Sequence, residues 1–166
     1  PEQYDEIKIP DNMYIWSTMN SADQGVFPMD TAFKRRWNFE YIGINHKEEK
    51  IKDTYLVCDK AQVPYRVDWN ELRKAINTTL ASRDYKINED KLMGPFFVSK
   101  SILENEEAFR ETFKSKIIMY LFEDAAKQRR HMLFGGCDED IRNQYSTICE
   151  EFDKRGIDIF CKEIRD

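Results

Sequence analysis

The fold of this chain is decided by the stretch Tyr14-Ile-Trp-Ser-Thr-Met-Asn20-Ser-Ala-Asp23 and by its continuation Asp30-Thr-Ala-Phe-Lys-Arg-Arg36-Trp-Asn-Phe-Glu-Tyr41. The first part is apolar and β-prone, so it predicts a buried strand that ends in a polar pair. In the second part, Asp30 suits the N-cap of a short helix that ends in a basic cluster, and another strand follows. A strand tip with Asn and Asp beside a helix end with two arginines is the kind of arrangement that handles a triphosphate.

The usual phosphate-binding loop is missing from this sequence. That loop requires Gly-x-x-x-x-Gly-Lys followed by Ser or Thr, because backbone N–H groups and the lysine must converge on the β- and γ-phosphates. None of the six glycines precedes a lysine. The acidic pair in Tyr120-Leu-Phe-Glu-Asp124 lies in a stretch with helical periodicity, which favours a helix surface over a metal site. We therefore interpret the chain as a piece of a longer protein, an interpretation that its acidic start without Met also favours.

Composition narrows the class of protein. The 166 residues are enough for one domain, or for the end of one domain and a small second one. Hydrophobic residues make up 41% of the chain, which allows a packed core, and a net charge of −5 argues against a nucleic-acid-binding surface along the whole chain. No apolar run is long enough to predict a membrane span, so we expect no membrane association.

The cysteines and histidines do not predict a metal site. No metal-ligand spacing connects Cys58, Cys137, Cys149, Cys161, His46 and His131. The four cysteines are typical of buried or half-exposed thiols in a reducing compartment, and we expect the protein to be cytoplasmic.

The hydrophobic pattern divides the chain near Ile44-Asn45. Residues 1–45 have strand-like patterns at 13–19 and 37–43, whereas residues 46–166 are predicted to be mainly helical. Asp68 and Glu71 have the spacing of a capping box at the start of one helix, and one apolar face of that helix is predicted to carry Trp69, Leu72, Ile76, Thr79 and Leu80. The other elements predicted after residue 45 are helices at 46–60, 106–129 and 138–154, the last of them stopped by Gly156, and a short strand at 157–160. The predicted class is α+β, mainly α.

The two strands near the start cannot bury both of their faces by themselves. Two outcomes are therefore open. Either the helices fold back over the strand–helix–strand piece, or upstream residues complete its sheet.

Residues 10–42 resemble the C-terminal half of the AAA+ core in McrB-type restriction NTPases. That family carries Met-Asn-x-x-Asp-Arg and, after the same spacing, Asp-x-Ala-Leu-Arg-Arg-Arg-Phe; this chain has Met19-Asn-Ser-Ala-Asp-Gln24 and Asp30-Thr-Ala-Phe-Lys-Arg-Arg-Trp37. Downstream, Leu92-Met-Gly-Pro-Phe-Phe97 is similar to the Ile-Gly-His-Ser-Tyr-Phe stretch of the family's lid. The resemblance implies that residues 1–45 are the end of a AAA+ α/β core and that residues 46–166 form its helical lid.

The resemblance also implies roles for individual residues. Asn20 would place the attacking water near the γ-phosphate, and Asp23 would support that water. Arg35 and Arg36 would reach the nucleotide of a neighbouring subunit and stabilise the charge on the transferred phosphoryl group. The turn at Gly94-Pro95 would contact the nucleotide.

Two residues depart from the family pattern, and each half of the motif has a plainer interpretation. Gln24 replaces the arginine after the motif Asp, and Lys34 replaces the first of three arginines, so an ATP-using relative is as plausible as a GTPase. Asn20 could simply end a strand, because asparagine suits turns. The basic cluster could be a solvated helix end that complements the helix dipole. Their occurrence together at the family's spacing favours the triphosphate interpretation.

For the parent protein, the resemblance implies hydrolysis of GTP or ATP with Mg²⁺, bound mainly by residues outside this chain. It further implies a ring oligomer, a separate nuclease subunit, DNA recognition by another domain, and a role in restriction and antiviral defence. The alternative is a non-catalytic scaffold module that retained the AAA+ shape. The two differ upstream, since only the enzyme needs a phosphate-binding loop and an acidic metal site.

We predict that residues 1–166 alone neither bind nucleotide tightly nor hydrolyse it, because the glycine-lysine loop supplies most phosphate contacts. Calorimetry with ATP and with GTP, each with magnesium, checks this. Micromolar affinity for either nucleotide would contradict the prediction and would point to a different site.

Overall fold

The computed structural model of the protein describes residues 9–19 and 30–166. These residues are mostly helical, and their sheet is a single antiparallel pair, β1 (Tyr55–Lys60) and β2 (Val63–Asp68). The α-helices are α1 (Thr31–Lys34), α2 (Trp69–Ala81), α3 (Lys100–Leu103), α4 (Glu106–Thr112), α5 (Arg130–Leu133), α6 (Tyr145–Arg155) and α7 (Lys162–Arg165). Helix α4 continues into π-helical segments at Phe113–Ile118 and Leu121–Ala125. Short 3-10 helices lie at Glu48–Ile51, Glu89–Lys91, Pro95–Phe97 and Gly156–Ile159.

The first strand of the β1–β2 hairpin replaces the second part of the helix predicted at 46–60. Only a 3-10 turn forms at its start, and in β1 alternate side chains, Leu56 and Cys58, are fully buried. Ala61 and Gln62 connect the strands with φ of 51° and 66°. A two-residue turn with both φ positive matches the twist of a hairpin, but it is usually signalled by Asn-Gly or Asp-Gly. This sequence lacks that signal, and the helix prediction is wrong here.

Helix α2 begins where the capping box predicts. The Asp68 carboxylate accepts a hydrogen bond from the backbone N–H of Glu71 at 2.9 Å, which satisfies a donor that the first helical turn leaves free. One face of this helix is buried and carries Trp69, Leu72, Ile76, Thr79 and Leu80. The predicted helix and its buried face are confirmed.

Aromatic side chains form the centre of the core. Phe109 and Phe113, on the helical stretch that starts with α4, are fully buried and meet Trp69 of α2 edge-on, with ring centroids 5.4 and 6.2 Å apart. Phe113 also stacks on Phe152 of α6 at 5.0 Å. Such pairs add to the free energy gained by burying their apolar area. The rings therefore fix α2, α4 and α6 relative to one another.

Two predicted helices are confirmed with shifted ends. The helix predicted at 106–129 ends at Ala125, and the helix predicted at 138–154 begins only at Tyr145. Before Tyr145 the chain forms turns, because the Arg142 guanidinium donates to the carbonyl oxygens of Cys137 at 2.8 Å and of His131 at 2.9 Å. Tertiary hydrogen bonds thus override the local helical pattern.

The strand predicted at 157–160 is wrong. Gly156 ends α6 with φ of 58°, which glycine adopts without strain, and a 3-10 helix follows. The chain then packs closely on the turn after α5, where the Gly136 N–H donates to the Ile159 carbonyl oxygen at 3.2 Å. Within the described ranges no neighbouring strand is available to this segment, so Ile159 and Phe160 are buried without a sheet.

The strand-like segments at 13–19 and 37–43 pair with no strand of residues 9–19 and 30–166. Most of their large side chains are exposed, including Tyr14 at 81% and Trp16 at 89%. A strand is stable only when its backbone groups and apolar faces find partners, and the described residues supply none. The described helices therefore do not fold back over this piece. Its completion by other residues, the division near residue 45 and the AAA+ assignment stay predictions.

We predict that Gly136→Ala destabilises the fold strongly. A Cβ at this position would lie 1.8 Å from the carbonyl oxygen of Asp158 and 2.6 Å from that of Phe160, so backbone would have to move. The free energy of unfolding should fall by about 3 kcal/mol. Gly43→Ala is the matched control, because its Cβ meets only Tyr41 Cε1 at an ordinary 3.7 Å. Urea denaturation of both variants measures the difference, and equal stability would contradict the close packing at Gly136.

Candidate functional site

Arg35 and Arg36 follow α1 directly, and both side chains are exposed. The Arg36 guanidinium donates to the Ala32 carbonyl oxygen at 3.1 Å, and the Phe33 and Trp37 rings pack at 5.7 Å across the same turn. None of the acidic side chains in the described ranges lies within 4 Å of either guanidinium. Two exposed cations without an acidic partner there can accept an anionic ligand such as a phosphate.

The other two residues of the predicted triphosphate arrangement, Asn20 and Asp23, lie outside the described residues. Their approach to the arginines is therefore still a prediction. Asp30 does take the N-cap position of α1, although its side chain makes no capping hydrogen bond.

The turn at Gly94-Pro95 is held by two side chains of α2. The side-chain amide of Asn77 bonds both backbone polar groups of Met93. Its Nδ2 donates to the Met93 carbonyl oxygen, and its Oδ1 accepts from the Met93 N–H, each at 2.9 Å. One helical turn earlier, Arg73 Nη1 donates to the same carbonyl oxygen at 2.8 Å. Met93 and Pro95 are buried. The backbone that leads into the turn is therefore fixed in position.

Arg73 is the centre of a buried polar cluster that sequence reasoning missed. Its side chain is fully buried, and its Nη2 donates to Asn70 Oδ1 at 2.8 Å, to Asn45 Oδ1 at 3.0 Å and to Glu48 Oε2 at 3.2 Å. Burial lowers the pKa of Arg73, and the negative charge of Glu48 opposes that shift. The available signal was the occurrence of Asn70, Arg73 and Asn77 on the apolar face of a helix, at the spacing that places side chains together.

The segment that follows the arginines meets the same loop at a second point. The Tyr41 hydroxyl donates to Glu89 Oε1 at 2.6 Å, and this hydrogen bond is the main cause of the raised pKa of Tyr41. Gly94 itself lies close to the carbonyl oxygen of Ile44, which a Cβ at Gly94 would approach to 3.8 Å. The structure thus brings the chain after Arg36 next to the Gly94-Pro95 turn, which the sequence did not predict.

A shallow cleft borders this turn between the 3-10 helix at 48–51 and α3. Phe96, which is 50% exposed, forms part of its wall. The charged side chains around it are Glu49, Lys50, Lys52, Asp53, Lys100 and Glu104. Three carboxylates balance three ammonium groups, so the cleft has no net preference for an anion. The cleft beside the turn therefore combines balanced charges with an aromatic ring, and its lining has no excess of cations that would favour a phosphate.

Burial raises the pKa of each of the four cysteines, and the acidic pair of the sequence lies on a helical segment. Burial raises the pKa of Cys58 to about 12 and that of Cys137 to about 11, so both remain thiols. All four cysteines are free, as the sequence predicts. Glu123 and Asp124 lie exposed on a helical segment. Within residues 9–19 and 30–166, no group of three or more His, Cys, Asp or Glu could hold a metal ion.

Among known proteins, this chain is similar to a component of a restriction enzyme. It is 40% identical over 152 residues to the protein described as Type II restriction enzyme BsuMI component YdiS, from Bacillus subtilis (strain 168). The match covers 89% of this chain and 39% of that protein, so the chain spans about two fifths of its relative's length. This chain thus has a homologue that is a component of a restriction enzyme. No protein-family model matches the chain, and no solved structure matches it.

The description of this relative agrees with the sequence prediction in one general respect, since both concern restriction. Nucleotide hydrolysis, the AAA+ fold and membership of the McrB-type family stay predictions. In the part of the chain that the structure describes, we find no helix with both the length and the apolar character of a membrane-spanning segment.

Proposed function

We propose that this chain is part of a McrB-like AAA+ NTPase that hydrolyses GTP or ATP to power a restriction system. The observation that carries the proposal is the 40% identity with a restriction enzyme component over 89% of the chain, in a sequence whose residues 10–42 resemble the McrB-type motif. A relative of which this chain spans 39% is also consistent with further functional segments elsewhere in the protein.

The exposed apolar segments give independent support. Met13, Tyr14, Ile15 and Trp16 are each more than half exposed, although such a continuous apolar run is typical of a strand that is buried on both faces. Phe39, Tyr41 and Ile42 are also more than half exposed, although their large side chains suit a strand with a buried face. In the proposed AAA+ core these residues are the sensor strand and the last strand of a sheet that upstream strands and helices complete.

In the proposed mechanism the residues of this chain have separate roles in nucleotide hydrolysis. Asn20, at the tip of the first strand, orients the attacking water, and Asp23 supports it by accepting a hydrogen bond. Arg35 and Arg36 extend from the domain surface to the nucleotide of the neighbouring subunit, where bidentate hydrogen bonds stabilise the charge on the phosphoryl oxygens. The Gly94-Pro95 turn contacts the nucleotide from the lid.

The nucleotide and its magnesium ion are held mainly by residues outside this chain. The exposed guanidiniums fit a phosphate, whereas the mixed charges beside Gly94 and the lack of a metal-ligating cluster in the described residues leave the phosphate loop and the metal ligands to another segment. Bound magnesium would neutralise phosphate charge during transfer. Partners in the proposal are further copies of the protein in a ring, a nuclease subunit, and DNA bound through a separate domain.

We predict that Arg35 and Arg36 act on a neighbouring subunit. The full-length Arg35→Ala/Arg36→Ala variant should bind nucleotide but lose turnover by a factor on the order of 10³, because transition-state charge is no longer stabilised. Mixed with a subunit that lacks a working phosphate-binding loop but keeps the arginines, it should regain activity. Arg83→Ala, which removes an exposed arginine elsewhere, should leave turnover unchanged.

Oligomeric state must be measured alongside, because the double variant could also weaken assembly. If mixed rings form but activity does not return, the arginines act within their own subunit or only stabilise the structure. If the unmodified full-length protein hydrolyses neither GTP nor ATP, the scaffold alternative replaces the enzyme.

We predict that full-length Asn20→Ala slows hydrolysis by at least about tenfold while nucleotide affinity stays nearly unchanged, because a water-placing group acts mainly in the transition state. Single-turnover kinetics and equilibrium binding measure the two effects separately, and Asn88→Ala is the control at an exposed asparagine. A variant that loses affinity by more than about tenfold, roughly 1.4 kcal/mol, with unchanged turnover would refute the role of Asn20.

A further inference from the structure

Arg73 joins three parts of the chain that are far apart in sequence. Its guanidinium bonds Asn70 on its own helix, Asn45 and Glu48 on the segment that enters the helical part, and the carbonyl oxygen of Met93. A guanidinium is planar and rigid, so the direction of one of its N–H groups determines the direction of the others. The bonds of Nη2 to Asn45 and Glu48 therefore help to aim Nη1 at Met93.

Hydrogen bonds and burial fix the backbone of Met93 in position. Asn77 bonds its N–H and its carbonyl group, and the Met93 side chain is fully buried. Because Gly94 follows directly, a rotation of the Arg73 plane would displace the start of the Gly94-Pro95 turn. After the turn, Lys116 Nζ donates to the Phe97 carbonyl oxygen at 2.6 Å. The turn is thus held at both ends, and the Arg73 bond connects its start to the segment at 45–48.

That segment continues the chain from Arg35 and Arg36. A second tie, that is, a second hydrogen bond between these two parts of the chain, runs from the Tyr41 hydroxyl to Glu89, which lies four residues before Met93. Both ties join the segment between the arginines and α2 to the loop that leads into the turn. A displacement of the arginine-bearing segment would therefore pull on that loop at two points.

We propose that Arg73 is a positioning residue that makes the placement of the Gly94-Pro95 turn depend on the segment through Asn45 and Glu48. It acts through the Met93 peptide and touches no nucleotide itself. Engagement of Arg35 and Arg36 with a neighbouring subunit would then alter how the turn meets the nucleotide of its own subunit. This inference rests on the function proposed above for its consequence at the nucleotide, whereas the coupling itself is a property of the described residues.

The test removes the outer partners of Arg73 and leaves Arg73, Asn77 and Met93 in place. Replacement of Arg73 itself could unfold the protein, because its bonding partners would stay buried without it. The variant is Asn45→Ala/Glu48→Ala, at residues on the accessible edge of the cluster. Glu49→Ala is the matched control, since Glu49 is the adjacent acid on the same 3-10 helix and does not bond Arg73 in the structure. The variant Glu48→Gln keeps an acceptor oxygen at position 48, so we expect it to disturb the turn less than the double variant does.

The first measurement is amide hydrogen exchange of the full-length protein without nucleotide. Exchange at Met93 and Phe97, whose N–H groups bond Asn77 Oδ1 and the Gly94 carbonyl oxygen, should become about tenfold faster in the double variant, as expected for the loss of hydrogen bonds to a charged group. Glu49→Ala should match the unmodified protein. Unchanged exchange in the double variant overturns the inference whether or not the protein binds nucleotide.

The second measurement is steady-state kinetics with GTP and with ATP. The double variant should raise KM by about tenfold with a smaller change in kcat, because a misplaced turn weakens binding in the ground state and the transition state alike. A lower melting temperature with unchanged KM would mean a purely structural role and overturns the inference. If the unmodified protein binds neither nucleotide, the proposed function fails, and the exchange measurement still decides whether the coupling exists.

Discussion

The buried guanidinium of Arg73 constrains how the helical part of this chain meets the residues before it. A charge in a fully buried position is costly unless nearly all of its donors are bonded, and here they reach Asn45, Glu48, Asn70 and the Met93 carbonyl oxygen. Because these acceptors lie on α2 itself and on two other segments, the requirement to satisfy one side chain fixes both of those segments relative to α2. The aromatic core gives the helices their stability, and the polar cluster determines where the loop at 93–97 lies.

The structure separates a packed helical part from an exposed leading part. From the 3-10 helix at 48–51 onward, apolar side chains converge on Trp69, Phe109 and Phe113, whereas Tyr14 and Trp16 contribute nothing to that core. In the AAA+ arrangement proposed above, the packed part is the lid and the leading part belongs to a sheet that other residues complete.

Local signals predicted the helices well and the hairpin badly. The Asp68 cap, the apolar face of α2 and the Gly156 stop are encoded within a few residues, and all three are found in the structure. The hairpin depends on Ala61 and Gln62 at positive φ, a conformation that neither residue type favours, so its strand pairing and the buried side chains of β1 must stabilise it. The segment at 157–160 has β-prone residues but no strand among residues 9–19 and 30–166 to pair with, and the close approach at Gly136 decides its path instead.

The sequence by itself determined the helical face of α2, the positions of the arginines after α1, and the motif that suggests triphosphate chemistry, because spacing along the chain is sufficient for each. Only the tertiary structure decided that the turn at Gly94-Pro95 is held by Asn77 and Arg73 and is tied to Asn45 and Glu48. Those partners are separated by 16 to 28 positions in sequence, and no local pattern specifies which buried donor meets which acceptor. Their pairing follows from burial, since each polar group that the core encloses must find a partner within it.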